Sequence, residues 1–331
     1  MYIIAEIAQA HDGSLGIAHS YVDALAGTGV HAVKFQTHIA DAESSIHEPF
    51  RVKFSYEDIS RFDYWKRMEF TPTQWAGLKS HCEEKGLEFI SSPFSCAAVD
   101  LLEELNVKKY KIGSGEVSNL LMLEKIANTG KNIILSSGMS SLNELDATIN
   151  FLKPFGNAVS VLQCTTAYPT IAGQWGLDII PFLKKRYHLP TGFSDHSGDI
   201  YACLAATALG AEVLEFHAVF DKNMFGPDAK ASLTIGQIAK LVQGVNEITT
   251  DLQSKNNKES SEAFTELKKI FQKSLAVNKD LEAGHIISFN DLETKKPAGY
   301  GIDAKDFKMI IGKALKQKKS GRDFLQYSDF E

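Results

Sequence analysis

Apolar residues in this chain gather into short runs that recur at intervals, and between the runs they fall at helical spacing. The runs lie near residues 1–8, 30–37, 87–93, 107–113, 132–137, 159–165, 191–196 and 212–219, each short and rich in β-branched or aromatic side chains, as buried strands are. After the fifth run, Leu142, Leu145, Ile149 and Leu152 repeat with the period of one buried helix face. Alternation of strand and helix predicts a parallel sheet. Eight units in roughly 250 residues predict a closed (β/α)8 TIM barrel over residues 1–252, and no phosphate-binding glycine fingerprint follows Ile3-Ile4-Ala5-Glu6 to argue for a doubly wound sheet. A longer insertion at about 38–75 interrupts the second unit and reads as a loop over the barrel mouth.

Beyond the helical stretch Ile235-Ile248 the pattern dissolves into Gln253-Ser-Lys-Asn-Asn-Lys-Glu-Ser-Ser261, a polar linker. With a connecting helix at about 262–272 it spans residues 253–273. The tail, 274–331, carries short β-like pieces, Ser274-Val277, His285-Ser288 and Phe307-Ile311, punctuated by Gly284, Pro297, Gly299 and Gly301. Some sixty such residues form a small β-rich domain near the lower limit of independent stability.

Composition narrows the functions available. Of 331 residues, 44% are hydrophobic and 23% charged, an ordinary globular balance. The net charge of -6 gives no basic footprint for nucleic acid. Apolar runs stay well short of the about 18 residues a membrane span needs, and Met1 leads straight into Tyr2-Ile-Ile-Ala5 without a leader pattern, so a cytoplasmic protein is expected. Cys82, Cys96, Cys164 and Cys203 are scattered, which fits reduced thiols better than a disulfide framework or zinc knuckle.

In a barrel, chemistry sits at the carboxyl ends of the strands, and here those ends are polar. Strand one ends at Glu6; strand two carries Lys34 and Gln36, two apart and on one face. Later strands give Ser91-Ser92-Pro93, Lys111-Ile-Gly-Ser114-Gly-Glu116, Ser136-Ser137-Gly138, Thr165-Thr166-Ala167-Tyr168, Ser194-Asp195-His196 and His217. A barrel filled only for packing would favour Val, Ile and Leu, and each lone charge would cost several kcal/mol. Singly, each residue is equally well an ion-pair partner, a rim hydrogen bonder or a helix cap. Jointly, lysines, hydroxyls, carboxylates and two histidines suit a small phosphorylated or carboxylated substrate. If strands seven and eight are adjacent, their ends lie roughly 5 Å apart, and His196 and His217 are either a metal pair with open positions or two core histidines among the ten in the chain.

These stretches, read in order with Cys164-Thr-Thr-Ala-Tyr-Pro169, Gly192-Phe-Ser-Asp-His-Ser197 and Gly226-Pro-Asp228, resemble the sialic acid synthase family, which joins phosphoenolpyruvate to an N-acylated hexosamine. The tail, with Lys279-Asp-Leu-Glu-Ala-Gly284 and Lys295-Lys-Pro297, resembles that family's antifreeze-like (SAF) domain. The resemblance implies that His196 and His217 hold Mn2+, or Mg2+ or Co2+, as a Lewis acid. It implies that Lys34 and Lys111, with Ser92, Ser114, Ser136 and Ser194, hold the phosphate and carboxylate of phosphoenolpyruvate. Gln36, Tyr168 and Asp228 would face the sugar; Glu116 would deprotonate the attacking water, and Glu6 would act at the sugar as base or orienting group. It also implies a homodimer in which each tail covers the partner's barrel mouth.

Departures from the family pattern cluster on the sugar side. Glu-Ile-Gly-x-Asn-His-x-Gly becomes Glu6-Ile-Ala-Gln-Ala-His-Asp-Gly13, Glu-Lys-His becomes Glu215-Phe-His217, and Pro-Gly-Pro-Asp becomes Phe225-Gly-Pro-Asp228. Lys296 stands where several members carry an arginine, keeping the charge but losing the planar fork. A diacetylated 6-deoxy hexosamine is therefore as consistent an acceptor as N-acetylmannosamine. Two rivals remain: a phosphoenolpyruvate synthase acting on a sugar phosphate, which such a tail disfavours, and a non-catalytic sugar-binding homologue, which the retained acids, lysines and histidines disfavour.

Overall fold

The computed structural model describes residues 1–52, 54, 56–254 and 258–331. The chain divides into two compact units, Met1–Ser254 and Lys255–Glu331. In the first, strands β1 (Tyr2–Glu6), β2 (Ala32–Thr37), β3 (Glu88–Pro93), β4 (Lys109–Ile112), β5 (Asn132–Ser136), β6 (Val159–Cys164), β7 (Thr191–Asp195) and β8 (Val213–Val219) pair in chain order, and β1 pairs with β8. Every pairing is parallel. The result is a closed (β/α)8 barrel. Its strands fall on the expected runs, because each run is too short and too apolar for anything but a strand buried on both faces.

Alternation along the strands divides each between two environments. Val33 and Phe35 of β2, and Leu214 and Phe216 of β8, join the outer core with the helices. Inside, Ile4, Ala32, Ile90, Ile134, Leu162 and Val213 form an apolar floor. One step higher the interior becomes polar, with Glu6, Lys34, Ser92, Lys111, Ser136, Ser194 and Glu215 all buried. The register sets Glu6 beside both Lys34 and His217, and Ser194 beside Glu215.

The helices begin where their caps dictate. Ser14 accepts the Ile17 N–H at the start of α1 (Leu15–Ala26). The expected loop over the mouth contains helices of its own, α2 (Ala40–Glu43) and α3 (Arg61–Met68). A Ser60/Asp63 capping box starts α3, and Ala40, Tyr64, Trp65 and Met68 pack with Phe50, Phe54 and Phe62 into a separate small core. Thr71 caps α4 (Pro72–Glu84), with Pro72 in the first turn, where its missing N–H costs nothing. Helices α5 (Cys96–Glu104), α6 (Leu120–Ala127), α7 (Leu142–Leu152), α8 (Ile179–Tyr187) and α9 (Tyr201–Ala208) follow their strands. After a two-residue strand β9 (Leu233–Thr234), α10 (Ile235–Gln253) ends the unit.

The second unit starts from α11 (Thr265–Phe271) and holds an antiparallel pair, β10 (Ser274–Val277) and β11 (Leu292–Lys295). Leu275, Val277, Leu281, Ile287, Ile302, Ile310, Leu315, Leu325 and Phe330 form its core. Of the β-like pieces anticipated in the tail, only Ser274–Val277 is a strand. His285–Ser288 contributes a single bridge, Ile286 to Ala314, and Phe307–Ile311 overlaps a 3-10 turn, Ala304–Met309. Short apolar triplets in a domain this small are ordered by tertiary contacts rather than by their own pattern. Among the described residues, no helix is long and apolar enough to cross a membrane.

Candidate active site

Four charged side chains meet above the barrel floor, each no more than 3% exposed: Glu6, Lys34, Lys111 and Glu215. Lys34 Nζ lies 2.7 Å from Glu6 Oε1 and 3.7 Å from Glu215 Oε2, and Lys111 Nζ lies 3.2 Å from Glu215 Oε1. Serines complete the shell. Lys34 donates to Ser92 Oγ at 3.2 Å and Lys111 to Ser136 Oγ at 2.7 Å, while Ser194 Oγ donates to Glu215 Oε1 at 2.9 Å. Burial alone would raise the Glu6 carboxyl, but Lys34, His217 and Lys111 outweigh it and hold it well below the usual carboxylate range. Burial likewise opposes the Lys34 charge, yet Glu215 and Glu6 keep its pKa raised. The cluster is thus ionised and internally balanced, the condition under which buried charge persists.

Above the cluster opens a cavity of about 490 Å³. Gln36, Ser114, Glu116, Tyr168, His217 and Asp228 line it. Gln36 Nε2 donates to Glu6 Oε1 at 2.7 Å. Asn119, which caps α6, also donates from Nδ2 to Glu116 Oε2 at 2.8 Å. Burial pushes the Glu116 carboxyl up, partly countered by that hydrogen bond. Tyr168, whose phenol burial pushes far up, so that it donates rather than ionises, has its ring centre 4.2 Å from that of His196, the two planes tilted by 38°. The Arg51 guanidinium sits 4.1 Å over the Tyr168 ring and pairs with Asp228 Oδ1 at 2.7 Å. Of the expected binding residues, Lys296 alone belongs to the second unit, where its Nζ lies 4.9 Å from the Phe271 ring centre.

His196 and His217 are neighbours, ring centres 5.2 Å apart. His196 Nδ1 lies 3.0 Å from the Thr165 carbonyl, which only accepts; Nδ1 therefore carries the hydrogen, and Nε2 presents a lone pair in the neutral ring. His217 Nε2 lies 3.4 Å from Glu6 Oε2. This donor set fits a divalent ion bound by two imidazoles. Among the described residues, no group of three or more His, Cys, Asp or Glu is set out to hold a metal.

Several site residues escaped the sequence reading. Glu215 is legible in hindsight, because it precedes His217 by two on β8 and so shares its inward face. His38 stands in the same relation to Gln36 on the other side. Arg51, Arg61 and Trp65 reach the cavity from the insertion, and no local pattern in the chain signals that.

The sequence model of the NeuB family matches residues 21–257. An N,N'-diacetyllegionaminic acid synthase of Campylobacter jejuni is 36% identical over 317 residues, 94% of each chain. An N-acetylneuraminate-9-phosphate synthase of Homo sapiens is 32% identical over 318 residues, 95% of this chain and 88% of the relative. Among solved structures, an N-acetylneuraminic acid (sialic acid) synthetase from Leptospira borgpetersenii, in complex with citrate, aligns with a TM-score of 0.71 and 30% identity over 80% of this chain and 89% of that one. Matches of this extent, on a closed barrel whose mouth gathers the lysines, carboxylates and histidines of the family pattern, establish that this chain belongs to the NeuB family.

Proposed function

We propose that this protein is a nonulosonic acid synthase, a transferase that condenses phosphoenolpyruvate with an uncharged N-acyl hexosamine and releases phosphate. The observation that carries the reading is the buried cluster of Lys34, Lys111, Glu6 and Glu215 beneath a cavity edged by His217.

Phosphoenolpyruvate carries a charge of about −3, from its carboxylate and a phosphate ionised at neutral pH. Lys34 and Lys111, with Ser92, Ser114, Ser136 and Ser194, supply charge-assisted hydrogen bonds to those oxygens, exchanging part of their pairing with Glu6 and Glu215 for the substrate. Because the two lysines are already offset by two carboxylates, binding a trianion favours further positive charge nearby. A divalent ion, Mn2+ or else Mg2+ or Co2+, held by His196 and His217 would supply it and would polarise the acceptor's aldehyde. The enol carbon attacks the aldehyde carbon, whose oxygen takes up a proton to become a hydroxyl; water adds to the resulting cationic carbon, and as the added hydroxyl gives up its proton the bond from that carbon to the phosphate oxygen breaks, leaving a ketone and free phosphate. Glu116, half-buried in the cavity wall with a raised pKa, accepts the proton of the attacking water. Glu6, held ionised, stabilises developing positive charge and orients the acceptor.

Charge also speaks to the acceptor. The described arginines of the cavity are both engaged, Arg51 with Asp228 at 2.7 Å and Arg61 with Glu48 at 2.8 Å, and Glu43 and Glu116 add further carboxylates. A sugar phosphate would enter against these carboxylates, whereas Phe54, Tyr64, Trp65 and Phe94 on the same wall suit the methyl groups of an N-acyl or 6-deoxy sugar.

Phosphate release with Mn2+ tests the reading, across N-acetylmannosamine, its 6-phosphate, diacetylated 6-deoxy hexosamines and arabinose 5-phosphate, with mass spectrometry of products. Turnover with an unphosphorylated acyl hexosamine, lost on chelation and restored by metal, is expected. Turnover only with a sugar phosphate would overturn the acceptor assignment; none at all in folded, metal-loaded protein would overturn the activity.

We propose further that the second unit is SAF-like and that the chain works as a cytoplasmic homodimer. Support for pairing comes from α11, which leaves Leu267, Ile270 and Phe271 exposed; light scattering reads the mass directly.

A further inference from the structure

We propose that Arg51 sets the acceptor specificity of this site: it holds Asp228 and Tyr168 in place for an uncharged sugar and, being bound to Asp228, is withheld from the phosphate of a charged one. The inference rests on the synthase reading above and deepens it. Three segments far apart in sequence meet here. Arg51 comes from the insertion, between α2 and α3; Tyr168 comes from the loop after β6, and Asp228 from the loop between β8 and β9. One guanidinium serves both partners, with Nη2 2.7 Å from Asp228 Oδ1 and the central carbon 4.1 Å from the centre of the Tyr168 ring. Arginine suits this double task, since its fork pairs with a carboxylate and its cation is attracted to the face of an aromatic ring.

The two partners occupy the acceptor's side of the cavity. Lys34 and Lys111 serve the anion on the floor, whereas Tyr168 and Asp228 line the wall together with His217. The Tyr168 ring centre lies 4.2 Å from that of His196 and 5.9 Å from that of His217, so a shift of Tyr168 is felt beside both imidazoles. Asp228 is available for the pairing. It stands at the N-cap of the short turn Ala229–Ala231 yet makes no side-chain cap bond, although an aspartate there ordinarily accepts an N–H of the turn it begins. Its carboxylate goes to Arg51 instead. The insertion and the loop after β8 also meet at a second point, where Phe225 packs 5.6 Å from Phe54, so the ion pair is free to serve the site rather than the fold.

The charge balance follows. A sugar phosphate entering this side meets a guanidinium already cancelled by Asp228 and flanked by Glu43, Glu48 and Glu116 in the same cavity wall. An uncharged sugar has hydroxyl groups that donate to the Asp228 carboxylate and accept from the guanidinium N–H groups left over from the pair.

Steady-state kinetics of Arg51→Met, Arg51→Lys, Asp228→Asn and the Arg51→Met/Asp228→Asn double variant test the assignment, with N-acetylmannosamine, a diacetylated 6-deoxy hexosamine and N-acetylmannosamine 6-phosphate as acceptors. Arg51→Met should raise the KM of the uncharged acceptor about tenfold or more and leave that of phosphoenolpyruvate within about threefold, and Arg51→Lys, which keeps the charge, should fall between the two. Asp228→Asn releases the guanidinium, so its ratio of kcat/KM for the 6-phosphate over the uncharged sugar should rise about tenfold or more and fall back in the double variant. Arg51→Lys and Asp228→Asn keep nearly the size of the side chains they replace, so the comparison stands even where Arg51→Met loosens the insertion. An unchanged acceptor KM in Arg51→Met, equal rises in both KM values, or a phosphate preference that Asp228→Asn leaves unmoved or that persists in the double variant would overturn the proposal. Wild type that uses an uncharged sugar, with variants that match it, overturns this proposal alone; wild type silent on all three sugars, or active only on the phosphate, overturns the reading above along with it.

Discussion

Burial raises the pKa of Glu116 in the cavity wall, and for a base that accepts a proton from water this sets the working pH. The rate should fall on the acid side with an inflection above that of an ordinary glutamate, and the limb should vanish in Glu116→Gln, with kcat down about 10²- to 10⁴-fold. Its effect on stability has the opposite sign. A raised folded-state pKa stabilises fully below the unfolded value and is lost as pH rises through the raised one, so the melting temperature of Glu116→Gln should gain on that of wild type as pH rises through that window. Glu215 makes a different prediction. Removing its charge leaves Lys111 with hydroxyl and carbonyl partners alone, and breaking a buried pair costs about 3–5 kcal/mol. Glu215→Gln should melt earlier than wild type, and inorganic phosphate or phosphoenolpyruvate should restore more of its stability than they add to wild type; an equal ligand effect in both would show that the lysines are not the anion site. At this scale the sequence was legible wherever function lay on a strand, because period two assigns a face to Glu6, Lys34 and Gln36. It was not legible for Arg51, whose partners Asp228 and Tyr168 are brought to it only by the closed barrel.

The turns after β4, β5 and β6 are packed to the point where one methyl group matters. Gly138 has φ +22, and a Cβ there would meet Ser114 Oγ at 1.9 Å and Thr166 Oγ1 at 2.7 Å. Both contacts come from neighbouring strand-end turns that line the cavity. Gly138→Ala should therefore displace Ser114 and lose at least about tenfold in kcat/KM for phosphoenolpyruvate, with a melting loss of about 1–3 kcal/mol from overpacking; unchanged kinetics would mean that Ser114 does not touch the substrate. Elements were legible in proportion to their length and burial. Eight strands announced themselves because buried parallel strands are apolar on both faces. Helix α2, only Ala40–Glu43, carries too few residues for a period, and its neighbour α3 shows itself by the Ser60/Asp63 cap more than by apolar spacing. In the tail, β11 reads Leu-Glu-Thr-Lys and is a strand because β10 pairs with it.

At the scale of the molecule, the first unit has its own floor and outer core and holds every barrel residue discussed above, while Lys296 lies in the second. A chain ended after Ser254 should for that reason fold, with a cooperative melt and two intact imidazoles. The second unit, with a core of its own, would be lost whole rather than leaving a torn interior. If Lys296 contacts the acceptor, as the family resemblance implies, the truncated chain loses a charged hydrogen bond of about 1.5–3 kcal/mol. Its acceptor KM should then rise about ten- to a hundredfold while the KM for phosphoenolpyruvate stays near wild type, since Lys34 and Lys111 are untouched. Lys296→Ala in the full chain should reproduce that shift, and Lys296→Arg should keep most of the affinity, because a guanidinium restores the planar fork. The truncated protein should also have the mass of a monomer by light scattering if pairing depends on the tail. A truncated monomer with unchanged kcat and both KM values unchanged would remove the tail from the active site and, with it, the need for a dimer.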